Sequence, residues 1–180
     1  MFTDPKGFTL SELLVAVAIV AILAAAAAPS FQTFLQNSRV SAQADCLMSA
    51  LQLMRMEAIK RNSTVRLCQS QSGRSCDGIS WNDGWLMWVD TEGDGSLEAE
   101  DSQEVIRYFE PISDQVVLTN SRSSMTWIGY RGDGTPVGST GMANSTWSIC
   151  HSAGGDEFGR EIVINRTGRA RRSRGADCGN

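Results

Sequence analysis

Polar and apolar positions fall into three regimes along the 180-residue chain. Residues 13–28, LLVAVAIVAILAAAAA, are wholly apolar, with Glu12 directly ahead of them. The stretch that follows, PSFQTFLQNSRVSAQADCLMSALQLMRMEAIKRN, mixes the two kinds of residue. Its apolar positions Val40, Ala44, Leu47, Leu51, Met54 and Ala58 recur at three- and four-residue steps, the period of an amphipathic helix. Alanine and leucine favour helix through the apolar run as well. The two stretches together predict one long helix, interrupted only at Pro29. After Arg61 the pattern changes to short β-prone runs: TVRLC (64–68), WLMWV (85–89), EVIRYF (104–109), QVVLT (115–119), MTWIGY (125–130), STWSIC (145–150) and REIVIN (160–165). Gly, Asn, Asp and Ser clusters separate them. The expected architecture is a long helix followed by a β-rich head, with Leu47, Leu51, Met54 and Ala58 packed on the sheet.

The apolar run is 16 residues long, short for a membrane span, which takes about 20. Including Phe8, Thr9 and Leu10 makes up the length and brings Glu12 into or near hydrocarbon. A carboxylate there costs roughly 2.5–3.5 kcal/mol on insertion scales unless it is neutralised or paired. An ammonium created by cutting the chain near Gly7 is a suitable partner. A secretory signal peptide would end in a small-residue cleavage site, for which AAAAA at 24–28 offers a sequence. The helical period that continues for thirty more residues argues against removal of the whole segment.

Charge refines this picture. The formal net charge is −4, but residues 83–114 hold ten acids and one base, and residues 158–180 hold six arginines and two acids. The near-neutral total therefore hides an acidic stretch and a basic tail. Of the five cysteines, Cys68 and Cys76 flank the polar stretch QSQSGRS, and Cys150 and Cys178 bracket the C-terminal tail. In an exported head these read as two disulfides, with Cys46 left over as a free thiol. With a single histidine, His151, and no Cys-x-x-Cys, neither a metal site nor a cofactor is expected. Ser152 and Asp156 beside His151 make no ordered triad, so the chain does not read as an enzyme. His151 is expected at the surface. Most of the five tryptophans belong in the core, with Trp81 and Trp85 at turns and partly exposed.

The segment KGFTLSELLVAVAIVAILAAAAAP resembles the class III signal of type IV pilins and pseudopilins. The resemblance implies cleavage after Gly7 by a prepilin peptidase, which also methylates the new N-terminal residue, Phe8. Glu12 then matches the family glutamate that pairs with a neighbouring subunit's N-terminus during assembly, and Pro29 the proline that kinks the helix. The chain so divides into a leader (1–7), a membrane and filament-core helix (8–35) and a periplasmic head (36–180). The head resembles the GspH/FimT family of minor pilins and pseudopilins, through DGWLMWVDTEGDGSLEAEDSQEVIR (83–107) and IVINRTGRARRSR (162–174). The implied fold is α+β and pilin-like, a long kinked N-terminal helix packed against antiparallel sheets. The implied location is the inner membrane before assembly, then a pilus or pseudopilus containing other major and minor pilins.

Two loops carry candidate chemistry. DTEGDGSLEAED (90–101) nearly follows EF-hand spacing, with Asp90, Glu92, Asp94, Gly95 and Asp101 at positions 1, 3, 5, 6 and 12. Glutamate at position 3, aspartate at 12 and strand-like flanks favour a solvated hairpin loop over a calcium site. The tail NRTGRARRSRG (165–175) carries Arg166, Arg169, Arg171, Arg172 and Arg174. Guanidinium groups fork to phosphate oxygens, and an extended RTGRARR puts Arg169 and Arg171 on one face and Arg172 and Arg174 on the other. GRAR (168–171) resembles the Gly-Arg-x-Arg signature of FimT-like minor pilins, which implies DNA binding, of double or single strands, during natural transformation. Gly168, Arg169 and Arg171 are then the core of that site, extended by Arg166, Arg172 and Arg174. The alternative is a minor pseudopilin of a type II secretion system with a structural tip role and no DNA binding.

Overall fold

The computed structural model describes residues 7–95, 97, 105–141, 143–155 and 158–178. Most of the expected leader, and residues 96 and 98–101 of the acidic loop, lie outside the described residues. Among the described residues one helix, α1 (Leu10–Arg61), precedes nine strands. The chain divides between Gln36 and Asn37 into two compact units.

In the first unit the helix begins with a reciprocal cap. The Thr9 backbone N–H donates to Glu12 Oε2 at 3.0 Å, the Thr9 hydroxyl donates to the same oxygen at 2.8 Å, and the Glu12 N–H donates to Thr9 Oγ1 at 3.3 Å. This is a Thr-x-x-Glu capping box. The helix continues through Pro29. Proline has no N–H, so the carbonyl four residues earlier loses its helical donor. Nearby hydroxyls bond to the ladder here: Ser30 Oγ donates to Ala27 O at 2.8 Å and Thr33 Oγ1 to Pro29 O at 3.1 Å.

In the second unit, α1 buries Val40, Ala44, Leu47, Ala50, Leu51, Met54 and Ala58, the predicted stripe with Ala50 added. The helix ends at Arg61, and the next residue, Asn62, adopts φ 50°, the left-handed conformation common just past a helix C-terminus. Two antiparallel sheets follow. The first has the order β3-β2-β1-β5-β6, from β1 (Thr64–Gln69), β2 (Trp85–Asp90), β3 (Val105–Phe109), β5 (Trp127–Tyr130) and β6 (Pro136–Gly138). The second has the order β4-β7-β8-β9, from β4 (Val116–Asn120), β7 (Ser145–His151), β8 (Arg160–Ile164) and β9 (Ala170–Arg174). One apolar cluster joins the α1 stripe to Val65, Leu67, Trp85, Met87, Leu118, Trp147, Ile162 and others from both sheets.

The run WLMWV lacks strand alternation because β2 is covered on both faces. Trp85, Met87 and Val89 enter the main core. Leu86 and Trp88 join Cys68 in a second cluster, against which Leu97, Val105, Tyr108 and Trp127 pack. The expectation that Trp81 and Trp85 are partly exposed is wrong; they are 5% and 1% exposed. Trp81 meets Trp147 edge-on at 4.6 Å between ring centroids. Its indole N–H donates to Met125 O at 3.0 Å, and that of Trp85 to Trp81 O at 2.6 Å. A turn position does not exclude burial when an indole can supply a missing donor.

Candidate functional site

The anchor places its candidate residues in the open. Gly7 and Glu12 are exposed, Phe8 is 77% exposed, and the whole apolar run is uncovered. The helix is long and apolar enough to cross a membrane. Glu12 holds its own helix start through Thr9, a use of the carboxylate that a search for intermolecular partners overlooks. The T-L-S-E spacing is the signal that finds it.

The basic tail is the β8–β9 hairpin. Its turn is built by Asn165, whose Oδ1 accepts from the N–H of Thr167 at 3.1 Å, the hydroxyl of Thr167 at 2.8 Å and the N–H of Arg169 at 2.8 Å. Gly168 is buried at φ 78°. A methyl group on it would stand 2.7 Å from Tyr130 Cε1 and 2.8 Å from Gly134 O. Its carbonyl accepts from the Tyr130 hydroxyl at 2.9 Å and from Arg55 Nη1 at 3.4 Å, while Arg55 Nη2 donates to Thr167 O at 3.4 Å. Burial pushes the Tyr130 phenol up to about 12, so it remains a donor at physiological pH. The glycine of GRAR thus has a packing reason to be glycine.

The arginines divide between two faces. Register opposes Arg172 to the buried Ile162 and Arg174 to Arg160, so these side chains share the face turned to α1. There Arg172 pairs with Asp45, and Arg160 Nη2 bonds to Asn37 Oδ1. Arg160 is only 6% exposed and also donates to Phe158 O and Gly159 O, both at 2.9 Å. Burial first, then the charges of Arg172 and Arg174, lowers its pKa. Arg171 opposes Val163 on the other face, and Arg169, Arg171, Val163 and Asn165 border a depression of about 330 Å³. Arg166 is exposed in the turn. Spacing marks the arginines as a group, but not the helix residues Asn37, Asp45 and Arg55 that hold them.

Cys68 is bonded to Cys76 and Cys150 to Cys178, and Cys46 is free. Burial pushes the Cys46 thiol up. Inside the first loop, Asp77 Oδ1 accepts from the N–H groups of Gln71 at 3.0 Å and Ser72 at 3.2 Å. These bonds, Ser72 foremost, hold its carboxyl down to about 2. His151 is 8% exposed, not a surface residue, and its Nδ1 accepts from the Ala153 N–H at 3.1 Å. It lines a cavity of about 400 Å³ beside the Cys150–Cys178 bridge. Asp156 lies outside the described residues. At the acidic loop, Asp90 is 3% exposed, and its Oδ2 accepts from Arg66 Nε at 2.6 Å and Nη2 at 2.5 Å. Its Oδ1 accepts from the Gly93 N–H at 2.8 Å. The first carboxylate of the EF-hand-like spacing is therefore committed to a guanidinium, which also stacks on Trp127 at 3.8 Å.

A membrane-length helix capped at Thr9, whose second half is the spine of a two-sheet antiparallel head, defines the pilin class of filament subunits. Comparison with known proteins agrees. A family model described as the prokaryotic N-terminal methylation motif matches residues 4–28, and one described as type II transport protein GspH matches residues 43–168. The chain belongs to the GspH family. Two crystal structures of the type IV minor pilin FimU of Pseudomonas aeruginosa share its fold. One has TM-score 0.56 and 18% identity over 74% of this chain and 91% of FimU. The other has TM-score 0.57 and 17% identity over 78% and 92%. The minor pseudopilin EpsH of the Vibrio cholerae type 2 secretion system aligns at TM-score 0.51 and 13% identity, over 76% of this chain and 97% of EpsH. The common ground is a GspH/FimU/EpsH-like minor pilin or pseudopilin, and the expected placement among FimT-like subunits is not specific to it. The protein is thus a structural subunit of the minor pilin or pseudopilin kind, with a methylation motif on an N-terminal helix long and apolar enough to cross a membrane.

Proposed function

We propose that the chain is a minor pseudopilin that takes a structural position in a type II secretion pseudopilus. The observation that carries this reading is the match of the GspH family model to most of the head. The precursor waits in the inner membrane, a prepilin peptidase cuts after Gly7, and Phe8 becomes a methylated N-terminus. Glu12 then exchanges its bonds to Thr9 for the ammonium of a neighbouring pilin. In the low dielectric of a helix bundle such a pair is favourable only with good geometry. Pro29 supplies a bend where the helix leaves the bundle. The testing experiment is co-purification of the chain with sheared pseudopili. Glu12→Ala is expected to remain cleaved and membrane-inserted but to be lost from the filament fraction, whereas normal incorporation would remove the role given to Glu12.

A second reading, a type IV pilus subunit that binds DNA, draws support from Arg171 on the outward face of edge strand β9 and Arg169 in the turn before it, which border one depression. Gly168 and Arg172, two of its six residues, already have structural partners. Binding of this kind is electrostatic and falls steeply with salt. Retardation of duplex and single-stranded DNA by the protein, abolished in Arg169→Ala/Arg171→Ala, would favour this reading over the structural one.

A further inference from the structure

The face of the head turned to α1 carries a charge imbalance. Arg160, Arg172 and Arg174 lie close enough for the latter two to act electrostatically on Arg160, and Asp45 is the carboxylate beside them. Among the described residues Arg174 has no carboxylate partner. Contacts along the helix show which end of the head this is. The turn before β9 meets Arg55, the middle of β9 meets Asp45 through Arg172, and its far end is level with Asn37 through the Arg174–Arg160 register and the Arg160–Asn37 bond. Strand β9 therefore runs along α1 toward its N-terminal side. Asn37 follows the expected membrane segment, 8–35, by two residues. A helix of that length spans about 42 Å, the thickness of a bilayer with its headgroups. Arg174, without a carboxylate partner among the described residues, is consequently tied to the part of the chain that leaves the membrane surface.

We propose that Arg174 binds the phosphate of anionic phospholipid headgroups, docking the edge of β9 on the inner membrane before assembly, while Arg172 stays paired with Asp45. Arg160 is buried and reinforces the positive potential without touching lipid. The outward arginines, Arg169 and Arg171, take no part. The strand also supplies its own reporter. The Gly175 N–H donates to Gly159 O and the Asn165 N–H to Arg169 O, which sets the alternation of the ladder. By that alternation the amides of Ala170, Arg172 and Arg174 point away from β8, toward the open edge. Docking shields them.

The test uses the full chain in nanodiscs, of phosphatidylcholine alone or with added phosphatidylglycerol, and follows amide exchange over residues 170–174. Slower exchange in the phosphatidylglycerol discs, reversed by high salt, is expected. Population of the docked state should fall about fivefold in Arg174→Gln and remain in Arg174→Lys and Arg169→Gln. Arg174→Gln breaks no hydrogen bond of the head, and the β2 amides serve as the folding control. Equal exchange in both lipids overturns the proposal. So does protection abolished by Arg169→Gln but not Arg174→Gln, equal protection by inorganic phosphate in phosphatidylcholine discs, or protection that appears only with duplex DNA.

Discussion

Replacing Gly168 by alanine separates a packing role for this glycine from a ligand-binding one. Two costs are expected. At φ 78° an L-residue is in left-handed backbone, which costs about 1–2 kcal/mol. The new methyl would also stand 2.7 Å from a Tyr130 ring carbon and 2.8 Å from the Gly134 carbonyl oxygen. Relief of such overlap by shifting well-packed neighbours costs about 1–3 kcal/mol. The sum is roughly 2–5 kcal/mol, a fall in Tm of about 5–15 °C for a head of this size. Gly175 is the internal control. It has nearly the same φ, 79°, but nothing lies within 4 Å of its added methyl. Gly175→Ala should therefore show only the backbone cost, about 1–2 kcal/mol. Thermal melts of the full chain in detergent compare the two variants directly. If Gly168→Ala loses no more stability than Gly175→Ala, the contact argument is refuted. If it loses the larger amount, weakened DNA binding by this variant is no evidence that Gly168 touches DNA.

Three further outcomes follow from the head. Asp90→Asn leaves the Arg66 guanidinium buried without its counter-ion and should cost about 3–5 kcal/mol in chemical denaturation; a near-neutral effect would contradict the account of the acidic loop. Cys178→Ser opens a link with a sequence separation of 28 and should cost about 3–4 kcal/mol on the chain-entropy model. An unchanged melting temperature with and without reductant would show that the bridge adds nothing. Asp77 has a lowered folded pKa of about 2, against about 3.9 for a free aspartate. Its contribution to holding the Cys68–Cys76 loop is thus complete above the unfolded value and is lost as pH falls through about 2. A carboxyl titration by NMR with its midpoint near 4 would refute this.

The helix and most strands were legible because their burial imposes a period. The α1 stripe at 40–58 faces one core, so its apolar residues repeat at helical steps. Strand β2 was recognisable from its run of large residues, although only the structure shows that two clusters cover its opposite faces. Strand β9 has no apolar alternation, because it is an arginine-rich edge that contributes little to the core. Its sequence shows charge but not pairing. The division of labour among the arginines was half visible: an extended chain puts Arg169 and Arg171 opposite Arg172 and Arg174, but spacing cannot say that α1 offers Asp45 to one side. Likewise, Asp90 looked like a ligand because its partner, Arg66, lies in another strand, 24 residues earlier. His151 was misjudged for a similar reason. Its glycine-rich neighbours suggest a surface loop, but it is the last residue of β7, paired with Val116, and is buried there.

The central claim is that the chain is a processed, structural subunit of a filament. Mass spectrometry of this chain in sheared pseudopili tests it most directly. The expected result is a mature chain that lacks residues 1–7, begins with N-methylated Phe8 and occurs in the filament fraction. A chain that keeps residues 1–7, or a processed chain that remains in the membrane and never enters the filament, would contradict it.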